Sequence, residues 1–291
     1  MDKINEIVII SGKGGTGKTT IALSLVPFLE DVVTADCDVD APDMDIILSR
    51  GKESCEDFFG NKKAYINEEK CIKCGKCLSS CKFNAISEKL AVKQNRCEGC
   101  GLCEIICPVS AIEMKKSKNG ELYISNTDYG KLFHARLNPG EENSGLLVSR
   151  VRKNAKEYAK NNGKKNIIVD GAPGIACNVI SSITGATRVI IVTEPTVAGL
   201  HDLERVYEVT QKFRLPVDVI INKSDISELM SKKIESFCAK KNIKNIINIP
   251  FDKRVVDAIS NKEIPSIAVK DIFEKSGILT LAESIGQAGT E

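Results

Sequence analysis

The feature that most constrains this chain is a cysteine pattern that occurs twice. Two groups of four cysteines share the same internal spacing: Cys71, Cys74, Cys77, Cys81 and Cys97, Cys100, Cys103, Cys107. A shift of 26 residues, the separation of Cys71 and Cys97, superimposes the first group on the second. The same shift superimposes Gly75 on Gly101, Ala85 on Ala111 and Ile86 on Ile112. The segment is therefore an internal duplication of the unit C-x2-C-G-x-C-x3-C-x3-A-I.

The spacing resembles that of bacterial-type ferredoxins, which hold two 4Fe–4S clusters. In such ferredoxins each half gives three cysteines to one cluster and its fourth cysteine to the other. The resemblance implies one cluster on Cys71, Cys74, Cys77 and Cys107, and a second on Cys97, Cys100, Cys103 and Cys81. Pro108 follows the last cysteine as the bacterial pattern expects, whereas Lys82 occupies the corresponding place in the first half.

Clustered cysteines have two other uses, a zinc site and a disulfide framework. Zinc needs a single set of four thiolates per site and gives no reason for the duplicated Ala-Ile tail. Disulfides are typical of secreted chains, and the sequence does not open with a signal-peptide pattern. The duplication therefore favours iron–sulfur clusters in a reducing compartment.

A phosphate-binding loop is predicted close to the N-terminus. The apolar run 7–10 is typical of a buried strand, and it leads into GKGGTGKTT at 12–20 and then a helical apolar pattern. This order lets backbone N–H groups surround the β-phosphate at a helix N-terminus. Lys18 is expected to bridge the β- and γ-phosphates, and the Thr19 hydroxyl to hold Mg²⁺. The predicted nucleotide-binding residues of the loop are Gly12, Gly14, Gly15, Thr16, Gly17, Lys18, Thr19 and Thr20.

A second lysine in the loop, Lys13, makes the motif similar to the deviant Walker A loop of the MinD, ParA, Mrp and nitrogenase iron-protein ATPases. In that class the extra lysine contacts the phosphates of the nucleotide bound by the partner subunit. The resemblance therefore implies a homodimer that encloses two ATP molecules, with Lys13 acting across the interface. The alternative is that Lys13 is a solvated loop residue.

Two further segments resemble the switch regions of this class. Asp36 and Asp38 follow the apolar run 32–35, and open parallel sheets bind ligands at the carboxyl ends of their strands. The resemblance implies that Asp38 orients or activates the attacking water, with Asp36 as a second candidate. Asp170 ends another apolar run and precedes a Gly-Ala-Pro-Gly turn, so it corresponds to the Walker B aspartate that reaches Mg²⁺ through water.

Base recognition is the least determined part of the predicted site. The sequence NKSD at 222–225 follows a strand pattern. By resemblance, Asn222 contacts adenine and the segment at Pro250 closes the base pocket. The N-K-x-D pattern also binds guanine in GTPases, through its aspartate. A third interpretation is a turn in which Ser224 or Asp225 caps the following helix, predicted to begin near 226. ATP is the prediction, with GTP and the helix cap left open.

Strand-type runs alternate with helical patterns through the rest of the chain, with strands predicted at 189–193, 217–221 and 246–249. This alternation predicts an α/β fold with a doubly wound, mostly parallel sheet. The cysteine repeats interrupt the alternation after the first switch segment. We therefore expect a P-loop ATPase domain at 1–52 and 131–291 and an inserted ferredoxin domain at 53–130, with its cluster core at 64–115. Residues 130–152 are expected to form a glycine-rich turn and a helix.

Composition limits the partners of the chain. A formal net charge of +2 gives no support for nucleic-acid binding. No apolar run approaches the ~20 residues that span a bilayer. The segment 284–291 has little apolar face and no basic cluster, unlike an amphipathic membrane helix. We expect a cytoplasmic protein without a stable membrane anchor.

The whole chain resembles MinD-superfamily P-loop ATPases with an inserted ferredoxin domain. The resemblance implies slow, partner-stimulated hydrolysis of ATP with Mg²⁺, coupled through two 4Fe–4S clusters to electron transfer or to metallocofactor and iron–sulfur assembly. The expected partners are a second copy of the chain and a redox or cofactor-maturation protein. Two alternatives are a MinD-like positioning or partition ATPase with the clusters as a redox sensor, and a carrier that delivers iron–sulfur clusters.

Cys177 lies seven positions after Asp170, where the nitrogenase iron protein has one of the cysteines that hold a cluster across its dimer interface. The region 138–145 has no cysteine to complete such a site. A metal or redox role for Cys177 is therefore left open, as are the electron donor, the acceptor and the pathway.

Overall fold

Residues 4–141 and 144–287 are described in a computed structural model of the chain, without the side chains of Asn61, Ser144 and Gln287. The strands are β1 Asn5–Ser11, β2 Val32–Asp36, β3 Gly51–Ile66, β4 Ile112–Thr127, β5 Gly130–Leu137, β6 Asn166–Pro173, β7 Arg188–Thr193, β8 Val217–Asn222 and β9 Ile246–Ile249. The helices are α1 Lys18–Leu25, α2 Met44–Leu48, α3 Lys76–Ser80, α4 Leu102–Ile105, α5 Ser144–Asn161, α6 Cys177–Ile183, α7 Val197–Lys212, α8 Glu228–Lys240, α9 Lys253–Ser260, α10 Pro265–Ala268, α11 Lys270–Ser276 and α12 Ile278–Gln287. The parts of the return segment and of the C-terminal tail at 142–143 and 288–291 lie outside the described residues.

Nine strands form one sheet within the described residues, in the order β3-β4-β5-β2-β6-β1-β7-β8-β9. The strands from β5 to β9 in this order pair in parallel. Central strand β1 has β6 on one side and β7 on the other, with Ile9 opposite Asp170. Asp170 in turn lies opposite Asp36 of β2. The parallel register therefore places the ends of β1, β2 and β6, and the loops that follow them, at one edge of the sheet.

Helices cover both faces of this sheet. Ile7 and Ile9 of β1 pack in a buried cluster with residues of α1, α2, α11 and α12. Val8 and Ile10 alternate with them along the strand and are fully buried as well, so they lie on the opposite face. Helices α5, α6, α7 and α8 contact strands β2, β6, β7 and β8. The predicted α/β fold with a doubly wound, mostly parallel sheet is confirmed.

The chain divides into two compact units. Unit 1 consists of Met1–Cys55, Leu122–Arg136 and Ser144–Glu291, and unit 2 of Glu56–Glu121 and Leu137–Asn143. Strands β3 and β4 each have residues in both units. The domain boundaries predicted from the sequence stay a prediction, because compact units describe packing and not independent folding.

Strand β5 was missed by the sequence analysis, which expected a turn and a helix at 130–152. The strand occupies Gly130–Leu137 and pairs in parallel with β2, where Thr34 lies opposite Leu132. Three side chains of the strand are buried: Leu132, Phe133 and Ala135. This apolar run is difficult to recognise in the sequence because charged residues, Lys131 and Arg136, flank it on both sides. Its neighbour β2 lies about a hundred residues earlier in the chain, so no local pattern indicates the pairing.

Candidate functional site

The predicted phosphate loop lies between β1 and α1. Gly15 and Gly17 have φ values of 78° and 96°, a region that residues other than glycine rarely adopt. A Cβ atom on Gly17 would also lie 2.4 Å from Asn222 Nδ2. Helix α1 begins at Lys18, so its unpaired N–H groups face the loop, as anion binding requires.

Two predicted aspartates, Asp38 and Asp170, meet the phosphate loop at the carboxyl edge of the sheet. Lys18 is buried, and its Nζ lies 3.4 Å from Asp38 Oδ2. The Thr19 hydroxyl donates to Asp170 Oδ2 at 2.5 Å. These residues adjoin an open cavity of unit 1 whose lining includes Gly14, Gly15, Gly17, Lys18, Thr19, Thr20, Asp38, Asp40, Asp43, Pro173 and Asn178.

Asp170 has the environment of a residue that faces a cation. Burial raises its pKa to about 6, although Lys18 and the Thr19 hydroxyl act in the opposite direction. Its Oδ1 atom is buried and has no hydrogen-bond partner among the described residues, which is rare for a carboxylate oxygen. Both observations fit a Mg²⁺ ion beside Thr19 and Asp170, because a divalent cation stabilises a buried carboxylate in its charged form.

Asp36 and Asp38 differ in what they contact. Asp36 is fully buried and accepts hydrogen bonds from the backbone N–H groups of Asp38, Asp43 and Met44 at 3.0–3.1 Å. Burial, followed by the charge of Asp170, raises the pKa of Asp36 well above its usual value. Asp36 therefore fixes the shape of the loop 37–43, whereas Asp38 lines the cavity beside Lys18 and Thr19.

A second cavity of unit 1 adjoins the loop on the side of β8 and β9. Asn222 and Pro250, both predicted to contact the base, line it together with Gly15 and Gly17. The Asn222 side chain also donates to the Thr16 carbonyl at 2.8 Å, which fixes the loop against β8. The predicted segment 249–252 also supplies Ile249 and Phe251 to the lining. Sequence reasoning missed the remaining apolar residues, which come from helices α9 and α11: Val255, Val256, Ile259 and Phe273.

The contacts of Asp225 bear on the guanine and helix-cap interpretations. Asp225 Oδ1 accepts a hydrogen bond from the Phe251 N–H at 2.6 Å, so this carboxylate is engaged by the backbone. Helix α8 begins at Glu228, and its N-cap is Ser227, whose hydroxyl accepts from the Met230 N–H. The interpretation of Ser224 or Asp225 as the cap is therefore wrong. The helix begins at 228, two residues later than the start near 226 that the sequence predicted.

Glu194 is a site residue that the sequence analysis missed. Its two carboxylate oxygens pair with Lys13 Nζ at 3.3 Å and with Lys223 Nζ at 2.6 Å. Partial burial acts to raise its pKa, but the hydrogen bonds from Lys223 and Lys13 hold that pKa below its ordinary value. Its position directly after strand β7 was the available signal, since Asp36 ends β2 and Asp170 lies on β6 at the same edge.

In unit 2 the eight repeat cysteines line two cavities in the predicted crossed arrangement. One cavity is lined by Cys71, Cys74, Cys77 and Cys107, and the other by Cys81, Cys97, Cys100 and Cys103 together with Cys77. Among the described residues, no three or more His, Cys, Asp or Glu side chains form a group that could hold a single metal ion. The cysteines surround spaces, an arrangement suited to a cluster that binds one thiolate at each iron.

The duplication extends to the backbone of unit 2. Gly75 and Gly101 have φ values of 71° and 75° and precede helices α3 and α4. The N–H of Ala85 donates to Cys81 Sγ at 3.4 Å, and that of Ala111 to Cys107 Sγ at 3.2 Å. Such N–H···S bonds stabilise thiolates and tune cluster potentials. The two fourth cysteines therefore accept equivalent N–H···S hydrogen bonds.

Cys177 is exposed at the first residue of α6. The segment 138–145, in which a second interface cysteine would be expected, lies partly outside the described residues. A role for Cys177 stays a hypothesis.

Comparison with protein families supports the cluster sites. The family model "4Fe-4S dicluster domain" matches residues 64–114, which include all eight repeat cysteines.

Two proteins of Methanocaldococcus jannaschii resemble the chain over most of its length. The protein "Uncharacterized protein MJ0578" is 33% identical over 283 residues, which cover 94% of this chain and 96% of that protein. "Uncharacterized protein MJ0579" is 32% identical over 269 residues, or 90% and 92% of the two chains. The chain belongs to the family of these two proteins.

Solved structures establish the fold. The septum site-determining protein MinD of Pyrococcus horikoshii, complexed with Mg-ADP, gives a TM-score of 0.58 at 17% identity, covering 97% of this chain and 96% of that one. MinD in the MinC:MinD cell division complex of Aquifex aeolicus gives 0.57 at 19% identity, with 97% and 95% covered. A ParA family ATPase of Chlorobium tepidum gives 0.54 at 16%, with 96% and 99% covered. The chain therefore has the MinD/ParA P-loop ATPase fold with a 4Fe–4S dicluster domain at 64–114.

Among the described helices, none combines the length and the apolar character that crossing a bilayer needs.

Proposed function

We propose that this protein binds and hydrolyses Mg²⁺-ATP as a homodimer and couples its nucleotide state to electron transfer through two 4Fe–4S clusters. The observation that carries the proposal is the coexistence of two assembled sites in one chain. Lys18, Thr19, Asp38 and Asp170 meet beside the phosphate loop, and the cysteines line two cavities as two crossed sets.

The phosphate half of the proposal depends on charge. The loop offers helix N–H groups and the buried ammonium of Lys18 to the phosphates. Thr19 and Asp170 would hold the Mg²⁺ ion, which neutralises the charge that develops during phosphoryl transfer. Asp38 lines the same cavity, and we assign to it the positioning of the attacking water.

Adenine is the base that the second cavity favours. In the guanine interpretation the aspartate of N-K-x-D must contact the base, but Asp225 is not among the residues that line this cavity, and its Oδ1 atom accepts from the Phe251 N–H instead. Asn222 and the apolar residues of the cavity remain to contact the base. The lining also includes the charged residues Lys223 and Asp252. A cavity that combines an apolar wall with an amide side chain is suited to adenine.

The chain connectivity supports coupling between the two functions. Strand β2 leads into the loop of Asp36 and Asp38, and it lies between β6, which carries Asp170, and β5. Strand β5 is the first strand after the chain leaves the cysteine repeats and β4. A displacement of the loop after β2 on loss of the γ-phosphate would therefore act on β2, whose neighbour β5 is joined through β4 to the repeats.

The test is an anaerobic EPR redox titration of the full chain without nucleotide, with Mg-ADP, and with a non-hydrolysable Mg-ATP analogue. A shift of ~59 mV in a one-electron potential corresponds to about 1.4 kcal/mol of coupling. Linkage requires an equal effect of cluster reduction on the affinity for the analogue. We expect both effects, and the affinity can be measured on oxidised and reduced protein.

The matched control is Lys18→Ala, which should lose the shift but keep the clusters. Identical potentials in all three states of the wild-type protein would contradict the coupling. Absence of the EPR signals, with no iron in metal analysis, would contradict the cluster assignment itself.

A further inference from the structure

The internal duplication allows the two halves of the cysteine segment to be compared position by position, and their charges differ. Residues 70–83 contain four lysines and no acidic residue. The equivalent residues 96–109 contain one arginine and two glutamates. The 26-residue shift places Ile72 on Glu98 and Lys76 on Leu102. Since the backbones are alike, this difference in charge is not required by the fold.

Most of the positive charge lies beside one cavity, that of Cys71, Cys74, Cys77 and Cys107. Lys76 lines this cavity, and Lys70 and Lys73 are exposed neighbours of two of its cysteines. None of the three lysines forms an ion pair with another described residue. Glu68 and Glu69 come just before the run but do not line the cavity.

Apolar side chains are exposed between these lysines. Ile72 and Val109 both line the cavity, and their exposed fractions are 61% and 37%. The residues Lys70, Ile72, Lys73, Lys76 and Val109 are called the basic face below. A small apolar centre with a charged rim is suited to brief, electrostatically steered contacts, in which complementary charge sets the rate of encounter.

The other cavity has a different surround. Lys82 and Glu98 both line it, so charges of both signs are present. Glu104 lies next to Cys103, and one of its oxygens accepts from the Met114 N–H. No comparable uniform charge is therefore found at this cavity among the described residues.

We propose that the basic face is the docking surface for a small acidic one-electron carrier protein, and that the cluster of Cys71, Cys74, Cys77 and Cys107 exchanges electrons with it. The proposal rests on the iron–sulfur part of the proposed function. Charge complementarity identifies the occupant, because unpaired lysines around an apolar centre attract an acidic surface and repel a basic one. Weak electron-transfer encounters need only a small interface, which is consistent with a face of five residues.

The step is a transfer of one electron. A reduced carrier loses one electron, and the oxidised cluster gains it; no bond in the protein forms or breaks. A flavodoxin of net negative charge, in its fully reduced form, is a suitable probe, because its flavin can supply a single electron.

The experiment measures the rate at which reduced flavodoxin reduces the full-length, cluster-loaded protein in stopped flow, at low and high ionic strength. The test variant is Lys73→Glu with Lys76→Glu. The control variant is Lys62→Glu with Lys116→Glu, which makes the same change in net charge on β3 and β4, at exposed positions lining neither cavity.

At low ionic strength we expect the second-order rate constant of the test variant to fall about tenfold or more, since steering of this kind accounts for factors of 10–10³. Near 1 M salt, where the screening length is ~3 Å, the test variant and the wild type should converge. The control variant should stay within about twofold of the wild type throughout.

Three results would overturn the docking surface. In the first, the test variant reacts as fast as the wild type at low ionic strength. In the second, the control variant slows as much as the test variant, which would indicate an effect of net charge alone. In the third, the test variant is slow at every salt concentration, which would indicate a changed cluster potential. Reduction by a small viologen radical distinguishes a failure of this docking surface from a failure of the proposed function. A wild-type protein that the viologen cannot reduce lacks working clusters, so the proposed function itself would fail.

Discussion

Three aspartates at one edge of the sheet show how environment divides roles among identical side chains. Asp36 is satisfied by three backbone N–H groups, Asp38 pairs with Lys18, and Asp170 keeps one buried oxygen without a hydrogen-bond partner among the described residues. The sequence places all three at strand ends. Their hydrogen bonds then distinguish a residue that shapes the loop from two that can face the nucleotide and its metal ion.

Asp170→Asn is expected to weaken the use of Mg²⁺ while leaving the fold intact. Removing a group that orients a metal's ligands typically costs 10–100-fold in affinity, so we expect the Mg²⁺ concentration for half-maximal binding of a fluorescent ATP analogue to rise by about that factor. Asp257→Asn, at an exposed position of α9, is the matched control. An unchanged Mg²⁺ requirement in Asp170→Asn would show that this carboxylate does not act on the metal.

At the scale of elements, the cysteine segment consists of one local structure used twice. Each half contains a glycine of positive φ, a short helix and a fourth cysteine that accepts an N–H···S bond four residues ahead. The cavities nevertheless join three cysteines of one half to the fourth cysteine of the other. Neither half therefore provides a complete set of ligands.

The crossed arrangement predicts which cysteine substitutions resemble each other. Cys107→Ser should weaken the same EPR signal as Cys71→Ser, and Cys81→Ser should weaken the same signal as Cys97→Ser, because a cluster responds to the loss of any of its four thiolates. Cys55→Ser, an exposed cysteine outside the repeats, should leave both signals and the iron content unchanged. If Cys107→Ser instead matches Cys97→Ser, each half holds its own cluster and the crossed arrangement is wrong.

At the scale of the whole molecule, the proposed homodimer depends on Lys13. Within one chain its ammonium pairs with Glu194, which also holds Lys223. A lysine that reaches the nucleotide of a partner must leave this carboxylate. In the proposed dimer, Glu194 would therefore compete with the partner's nucleotide for Lys13. Because Glu194 also pairs with Lys223, its hold on Lys13 is weaker than that of an isolated ion pair.

Glu194→Gln is expected to strengthen the dimer that forms with a non-hydrolysable ATP analogue. A partly exposed ion pair contributes about 0.2–1 kcal/mol, and the dimer would release two such pairs, one per copy. The dimer dissociation constant should therefore fall by about twofold to thirtyfold in sedimentation velocity. Lys13→Ala should remove the nucleotide-dependent dimer. Glu208→Gln, on the exposed surface of α7, is the control. Dimerisation of Lys13→Ala with wild-type affinity would contradict the role of Lys13 across the interface.

The sequence by itself determined the fold class, the phosphate loop and the presence of a dicluster segment, because each depends on short-range order: the alternation of strands and helices, the spacing of glycines and lysines, and the duplicated cysteines. Tertiary structure decided the rest. Strand β5 is recognisable through its pairing with β2, Glu194 through the two lysines that it contacts, and the cavity beside Asn222 through side chains from separate elements. These features depend on residues that are far apart in the chain and are brought together by the packing of the sheet, which no local pattern of residues encodes.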